Sequence, residues 1–416
     1  MRIGLASNSG LFASGYQRLL DMGATAWVEP TCTQTIQQAD GVNPDVTTWN
    51  KSPAGMGATG GQADPDGGNN AYLITDTVDG GGVFHSITDT TPNAQPGYVR
   101  RVVWLKAGTQ NYSYVMGGTS GGTSNASIFN ITGAAATYNQ GSGVGRHLEF
   151  VGDWRKFLFT ETPDAAMRAR NIPVQAGTTN QTTYQGAGTG TFYLYSPAGS
   201  YQQDRVSSLT SRGTGYIFSQ ATDANRPIVH PDGFNDKPAL WFGGASAPKC
   251  LAGDPLAAAF DFRDDFTIVT TIQWHGAAGA EEWVWCAGTA GTSMQGLKRN
   301  AAGTLQTVWT DYAGAPTTYD HGVATGQQVV SVSQVTVGAV MSRAIYVNGV
   351  LSAGGGVCAM AVDASLLTLG AAATGVGAWA EHGQFMQREW AFIPRALSAV
   401  EHRQAYAIAK SNAGIA

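Results

Sequence analysis

Paired carboxylates are the first side chains in this sequence that could do chemistry, because glycoside hydrolysis needs two of them facing each other across a cleft. The sequence has two adjacent acidic pairs, Glu281-Glu282 and Asp264-Asp265. Adjacent residues of a strand point to opposite faces of a sheet, so neither pair can place both carboxylates on one face. We therefore expect solvated residues at the starts of strands, and no enzyme.

Exposed aromatic rings are a second source of chemistry, because a sugar ring that stacks on them replaces water on an apolar surface. In the C-terminal half the candidate ligand-binding residues are Trp283, Trp285, Trp309 and Tyr312. In the N-terminal half they are Trp49, Tyr112, Tyr114 and Tyr138. Trp283 and Trp285 have the spacing of residues on one strand face, where burial in a core is the alternative role.

The remaining polar groups are scattered. The histidines lie at positions 85, 147, 230, 275, 321, 382 and 402, and Tyr319-Asp320-His321 is interpreted as a polar loop. Asp232, Asn235 and Asp236 could supply the oxygen ligands that calcium prefers, although such residues also form ordinary turns. We predict no catalytic residue, no metal site and no cofactor.

The four cysteines occur singly, without the CxxC pair that is typical of zinc sites. Of Cys32, Cys250, Cys286 and Cys358, most are expected to be small buried residues with inert thiols. A disulfide between two of Cys250, Cys286 and Cys358 is the alternative, and the sequence does not decide between them.

Composition indicates an all-β protein. Only 13% of the residues are charged, 43% are hydrophobic, and 55 glycines separate short runs rich in β-branched and aromatic residues. The net charge of −5 gives no basic surface for nucleic acid. No segment has the apolar length of a membrane span, and the first residues lack the apolar core of a signal peptide.

The pattern divides into a short arm and two β-sandwich (jelly-roll) domains. Residues 1–45 are predicted to be an N-terminal attachment arm, with a helix over 14–22 that ends at Gly23. Residues 46–203 form the first sandwich, with strands predicted at 71–77, 83–88, 98–106, 112–116, 127–131, 146–151, 154–160 and 191–195. Residues 204–416 form the second, with strands predicted at 239–242, 266–274, 282–287, 305–310, 328–336, 343–347, 350–353, 365–369 and 390–393.

Two local signals are the clearest in the chain. Asn348-Gly349 between apolar, alternating residues predicts a two-residue hairpin, because both turn residues need positive φ. Ser398 with Glu401 three residues later predicts the capping box of a helix over 399–410, which we expect to pack on the rim of the sandwich.

Several segments carry a resemblance to known families. In order they are Asp223 to Pro227, Phe234 to Gly244, the Tyr346 to Gly349 hairpin, Leu367 to Gly370, and Pro394 through Lys410. They resemble concanavalin A-like lectin/laminin G-like domains of bacterial and phage proteins over nearly all of residues 205–416. Residues 46–200 are similar to carbohydrate-binding-module-type sandwiches of phage structural proteins, at Trp49, Val103 to Gly108, Asp153 to Lys156 and Phe192 to Pro197.

The resemblance implies a non-enzymatic structural protein of a tailed-phage virion, namely a capsid-decoration, head-fibre or tail-associated protein. It would be made in the host cytoplasm without a signal peptide and would contact other virion proteins through the arm. A homo-oligomer is expected, with a trimer favoured, and neither nucleic acid nor membrane insertion is expected. The alternative is a carbohydrate-binding adhesin that recognises host-surface glycan.

Overall fold

The computed structural model describes residues 19–30, 32, 34–38, 44–78, 83–94, 99–116, 126–133, 136–140, 144–161, 167–174, 183–184, 188–197, 201–235, 237–243, 249–253, 262–275, 280–289, 293–310, 316–338, 340–352, 357–359, 366–375, 378–380 and 385–415. They divide between two compact units. The central unit is Gln38–Asp204, and the terminal unit combines Met1–Gln37 with Arg205–Ala416. No described helix is both long and apolar enough to cross a membrane.

The strands up to the end of the central unit are β1 (Ala26–Val28), β2 (Gln34–Gln38), β3 (Asn50–Ser52), β4 (Gly57–Gln62), β5 (Ala71–Thr75), β6 (Val83–Phe84), β7 (Ser86–Ala94), β8 (Val99–Ala107), β9 (Tyr112–Met116), β10 (Ala126–Asn130), β11 (Ala136–Gln140), β12 (Val144–Val151), β13 (Trp154–Glu161), β14 (Met167–Val174), β15 (Thr183–Tyr184), β16 (Thr191–Tyr195) and β17 (Tyr201–Gln202).

The strands that follow are β18 (Asp204–Thr210), β19 (Arg212–Gly213), β20 (Ile217–Ser219), β21 (Ile228–Phe234), β22 (Lys237–Trp241), β23 (Leu251–Gly253), β24 (Phe266–Trp274), β25 (Glu282–Thr289), β26 (Ser293–Arg299), β27 (Thr304–Thr310), β28 (Pro316–Val323), β29 (Gln327–Val337), β30 (Val340–Val347), β31 (Val350–Leu351), β32 (Val357–Ala359), β33 (Leu367–Leu369), β34 (Ala372–Gly375), β35 (Ala378–Ala380) and β36 (Phe385–Ile393). A single long helix, α1 (Ala399–Asn412), comes after them.

The central unit is a sandwich of two antiparallel sheets. Sheet 1 has the order β11-β10-β9-β14-β7-β3, and sheet 2 has the order β12-β13-β8-β16-β5-β4. Their inner faces share one apolar core, to which sheet 1 contributes Phe129 and sheet 2 contributes Val103, Phe157 and Leu194. Side chains alternate along each strand, so the residues between these core positions face away from the core.

The terminal unit is a second antiparallel sandwich. Layer A runs β22-β36-β24-β29-β30, and layer B runs β20-β23-β33-β25-β26-β27-β28. Ile268 and Phe392 of layer A share a core with Leu297 and Leu369 of layer B. The predicted all-β class, with two sandwiches and a short C-terminal helix, is confirmed.

Residues 26–28 are part of the terminal sandwich, which differs from the separate arm predicted over residues 1–45. Strand β1 pairs with β36 on one side and β19 on the other, with Trp27 opposite Ala391. The Trp27 side chain is fully buried, and its indole N–H donates to Glu389 at 3.3 Å. The described part of the segment is therefore held by its own chain because its apolar residues complete a sheet. Residues 1–18 lie outside the described residues.

Helix α1 packs on the outer face of layer A instead of on the rim. Its Ala405 and Ala409 contact Val269 of β24 and Val329 of β29 in a small apolar cluster. The predicted capping box is confirmed, since the Ser398 hydroxyl accepts the Glu401 amide and the Glu401 carboxylate accepts the Ser398 amide. The hydroxyls of Ser331 and Ser333 in β29 lie 2.7 and 2.9 Å from the ring nitrogens of His402 in the helix.

The predicted Asn348-Gly349 hairpin is also confirmed. Asn348 has φ 51° and Gly349 has φ 77°, and the turn joins β30 to β31 with Val347 opposite Val350. The Asn348 side chain adds a tertiary contact, because its Oδ1 accepts the Val329 amide at 2.9 Å. At the other end of the chain, Gly23 has φ 92° just after the described helical turn at 19–21, as its predicted place at a helix end requires.

Candidate functional site

The three described tryptophans predicted to bind ligand lie in the core. Trp283, Trp285 and Trp309 expose none of their surface. A register shift between Trp283 and Trp285 turns them to opposite faces of β25, so the interpretation that they share a face was wrong. Trp285 points into the main core, whereas Trp283 packs beside Val308 beneath the ammonium of Lys298. None of these rings presents a face to solvent.

The other predicted aromatic residues add no exposed site. Tyr312 lies outside the described residues. Trp49 is buried in the core of the central unit. Tyr112 and Tyr114 lie in β9 and Tyr138 lies in β11, and only their backbone is described.

The acidic pairs do not form a catalytic arrangement. Glu282 is buried and forms an ion pair with Arg299, so the prediction that it is solvated was wrong. Its neighbour Glu281 is half-exposed, and its Oε2 lies 2.6 Å from Lys298 Nζ. Asp264-Asp265 is exposed, as predicted. Glu281 lies just before β25 and Glu282 is its first residue, and each carboxylate has its own cation.

Histidine and cysteine side chains also have structural roles. Tyr319-Asp320-His321, predicted to be a loop, lies within β28, where a ring nitrogen of His321 is 2.7 Å from the Thr307 hydroxyl. Among the cysteines with described side chains, Cys32, Cys250 and Cys286 are buried free thiols.

Metal-binding groups are equally sparse in the described part of the chain, where no group of three or more His, Cys, Asp or Glu side chains could hold a metal ion. The sequence analysis named three residues as possible calcium ligands. Of these, Asn235 is a turn residue with φ 48°, Asp236 lies outside the described residues, and only the backbone of Asp232 is described.

The outer face of sheet 2 carries a group of aromatic and lysine side chains that the sequence analysis did not select. Its six residues alternate with core residues on three adjacent strands, and we call them the aromatic face: Trp104 and Lys106 of β8, Trp154 and Lys156 of β13, and Tyr193 and Tyr195 of β16. In β16, Phe192 and Leu194 are buried in the core while the two tyrosines are half-buried. The alternating sequence Thr191–Tyr195 was the signal that could have identified this face.

Strand register places the rings and lysines of the three strands beside one another in two rows. Lys106 lies opposite Trp154 on one side and Tyr193 on the other. Trp104 lies opposite Lys156 and Tyr195 in the same way. Lys106 therefore lies between two rings, whereas Lys156 lies between Trp104 and Glu149 of β12.

The lysines lie over the rings. Lys156 Nζ is 5.0 Å from the centre of the Trp104 ring, and Lys106 Nζ is 4.9 Å from that of Tyr193. These distances are within the range of cation–π attraction. Trp154 meets Tyr193 edge-on, with ring centres 6.4 Å apart. The rings are thus held at fixed positions while their cations remain at the surface.

Two carboxylates border the aromatic face. The Tyr195 hydroxyl donates to Asp66 Oδ2 at 2.8 Å, and burial together with this bond raises the pKa of Tyr195 to about 12. Lys156 Nζ donates to Glu149 Oε1 at 2.9 Å, and both side chains are partly exposed. Trp104 and Trp154 are each 6% exposed. The two tryptophans are therefore buried, and the solvent-facing part of this surface combines the half-buried tyrosine rings with donors and acceptors suited to hydroxyl groups.

Comparison with known proteins gives distant structural likenesses only. No protein-family model matches the chain, and no curated protein matches its sequence. The chain is structurally similar to the receptor-binding domain of botulinum neurotoxin type G, with a TM-score of 0.36 and 10% identity, over 48% of each chain. It thus spans about half the length of that structure.

Two sialidase structures are similar at the same distant level. A Trypanosoma rangeli sialidase has a TM-score of 0.38 and 12% identity, over 83% of this chain and 62% of that one. The CBM40 of the Ruminococcus gnavus IT-sialidase, bound to α2,3-sialyllactose, has a TM-score of 0.29 and 13% identity, over 34% of this chain and 83% of that one. At these TM-scores, the likenesses assign neither a ligand nor an activity to this chain.

Proposed function

We propose that this protein binds carbohydrate and that the aromatic face is its binding surface. The observation that carries the proposal is the grouping of four rings with two lysines on the outer face of one sheet. A pyranose ring has apolar C–H faces and a rim of hydroxyl groups, so it requires both kinds of contact. The tyrosine rings supply stacking surfaces, while lysine ammoniums and the bordering carboxylates supply hydrogen bonds.

The lysine over Trp104 makes this surface adaptable. Its ion pair with Glu149 is partly exposed, and such pairs contribute at most about 1 kcal/mol. A ligand can therefore displace the Lys156 ammonium from the ring at little cost. Displacement exposes the face of Trp104 and leaves the lysine free to bond a hydroxyl or carboxylate of the ligand.

A structural role in a tailed-phage virion remains a prediction from the sequence. The segment that was expected to contact other virion proteins is, over residues 26–28, a strand of its own sandwich. The expectation that the chain is not an enzyme also remains a prediction. The glycan-binding alternative is preferred because a specific surface of the described structure supports it.

A glycan array, followed by calorimetric titration of any glycan that binds, tests the proposal. Tyr193→Ala is expected to weaken binding about tenfold or more, because it removes a stacking ring. Tyr193→Phe keeps the ring and should keep most of the affinity. Tyr319→Ala, a half-buried strand tyrosine of the terminal unit, is the matched control and should leave binding unchanged. A wild-type protein that binds no glycan, or equal affinities for Tyr193→Ala and wild type, would refute the proposal.

A further inference from the structure

The two lysines of the aromatic face have different surroundings. Lys156 Nζ lies 2.9 Å from Glu149 Oε1, so its charge has a partner within the protein. Lys106 Nζ lies over the Tyr193 ring instead. Among the described residues, no oxygen accepts a hydrogen bond from Lys106 and no carboxylate forms an ion pair with it. The Lys106 ammonium therefore keeps its bonding capacity for a ligand.

Strand register gives Lys106 no acidic neighbour on its face. Residues directly opposite one another on adjacent strands share a face, and the row through this lysine consists of Val151, Trp154, Lys106, Tyr193 and Leu73. Every neighbour in this row is apolar or aromatic. Asp153, in the turn before Trp154, is exposed and does not pair with Lys106 in the described structure. The row thus carries one cation and no anion.

The adjacent row of the same face has two carboxylates at its border. It consists of Glu149, Lys156, Trp104 and Tyr195, and the Tyr195 hydroxyl donates to Asp66. The two rows are two residues apart along β8, which is about 7 Å in a strand. The aromatic face therefore has an unpaired cation in one row and acceptors for hydroxyl groups in the other.

We propose that the ligand of the aromatic face is an acidic sugar, whose carboxylate or sulfate group pairs with Lys106 while its hydroxyl groups bond the row that contains Glu149. This inference rests on the carbohydrate binding proposed above, and it adds the class of glycan and its orientation. Hydrogen bonds between two charged groups are roughly twice as strong as those between neutral groups. Lys106 is half-buried, so water screens its charge less than it would at an exposed site.

The rings beside Lys106 allow stacking and charge pairing at the same time. Tyr193 is half-buried on one side of the lysine, and the buried Trp154 meets it edge-on. An acidic sugar carries its charge at the edge of a ring whose C–H faces remain apolar. It can therefore stack on Tyr193 and reach the ammonium beside that ring. The ammonium then exchanges a cation–π contact for a stronger ion pair.

The charge of the whole chain does not favour anions. The net charge is −5, so long-range electrostatics repel a polyanion instead of attracting it. Preference for an acidic glycan must then come from a local cation, and Lys106 supplies one. An acidic polymer without sugar rings, such as polyglutamate, is accordingly not expected to bind.

A glycan array with neutral, uronate-containing and sulfated oligosaccharides tests this inference. Each acidic glycan that binds is compared with its own neutral form, in which the carboxylate has been reduced to an alcohol or the sulfate removed. We expect the wild type to bind the acidic form about tenfold or more tightly, and we expect this preference to fall as the salt concentration rises. The uronate and sulfate arms show which acidic group is recognised.

Three variants assign the preference to its residue. Lys106→Met keeps an apolar stem beside Tyr193 and removes the charge, so it should lose most of the preference while still binding the neutral form. Lys106→Arg keeps a cation and should retain the preference. Lys51→Met removes a half-buried lysine of β3, in the other sheet of the same unit, and is the control that should leave binding unchanged.

The results that overturn this inference differ from those that overturn glycan binding. Equal affinities for acidic and neutral forms, an undiminished preference in Lys106→Met, or binding of polyglutamate as tight as that of the acidic glycan would each refute the acidic ligand. The first two of these results would leave carbohydrate binding intact. A wild-type protein that binds no glycan on the array would instead refute the proposed function itself, and the acidic ligand with it.

Discussion

His402 makes the stability of the terminal unit depend on pH. Its side chain is fully buried between helix α1 and layer A, where it stacks on Tyr346 with ring centres 3.9 Å apart. Its two ring nitrogens lie 2.7 Å from the Ser331 hydroxyl and 2.9 Å from the Ser333 hydroxyl. Burial disfavours the charged imidazolium and lowers the pKa of His402 from 6.5 to about 4.

The lowered pKa of His402 determines whether the terminal unit gains or loses stability as the pH falls. Between pH 6.5 and pH 4 the unfolded chain binds a proton at residue 402 that the folded chain resists. The folded state is therefore most stable above pH 6.5 and loses stability as the pH falls. A pKa difference of about 2.5 corresponds to about 3 kcal/mol in full, of which about 2 kcal/mol is lost between pH 7.5 and pH 5.

Hydrogen exchange of the β29 amides, measured at both pH values in the wild type and in His402→Gln, isolates this contribution. Glutamine cannot be protonated, so the variant should lose about 2 kcal/mol less opening free energy between pH 7.5 and pH 5. His230 and His321, whose pKa values are also lowered to about 4 by burial, are present in both proteins and cancel in the comparison. Equal losses in the two proteins would refute the reasoning.

Two further predictions concern the ends of the terminal unit. Ser398→Ala removes the hydroxyl that caps helix α1 and should lower the free energy of unfolding by about 1 kcal/mol in urea titrations, whereas Ser398→Asp, which keeps an acceptor, should cost less. Trp27→Ala empties a fully buried site and leaves Glu389 without an indole donor, so we expect a loss of about 3–5 kcal/mol, with a smaller loss for Trp27→Phe. An unchanged melting temperature for Trp27→Ala would contradict the assignment of β1 to the sandwich.

The sequence predicted the features that depend on near neighbours. Asn348-Gly349 specifies its hairpin through the backbone conformations of two residues, and Ser398 and Glu401 specify a helix start through bonds that close within one turn. Most strands were predicted for the same reason, because alternation is visible along a short segment. These signals do not depend on the rest of the chain.

Features that need a distant partner were not predicted. Strand β1 is paired with β36, so Trp27 meets Glu389 across a separation of 362 residues. The bulge between Trp283 and Trp285 is likewise a property of the pairing with β26 and has no mark in the local sequence. A one-residue shift of this kind reverses the faces, which is why a correct strand still gave a wrong arrangement of side chains.

Whether a tryptophan ring is open to a ligand depends on how exposed to solvent the cation that covers it is. In the terminal unit Arg343 lies 4.5 Å from the centre of the Trp309 ring, and both side chains are buried. The guanidinium also donates to two buried glutamine side chains. Removing it from the ring would leave those acceptors unpaired inside the protein, at about 1–3 kcal/mol each.

On the aromatic face a cation also lies over a tryptophan ring, but there it is partly exposed to solvent. Lys156 covers Trp104 at 5.0 Å, but its ammonium is partly hydrated and its partner Glu149 is half-exposed, so water replaces every bond that the lysine gives up. A ligand can open this site without breaking a buried network. Cation-covered tryptophans thus occur in both units, and under our proposal Trp104 is the one that can exchange its cation for a sugar. This difference in solvent access, more than the number of aromatic residues, is the reason why we propose the aromatic face as the binding surface.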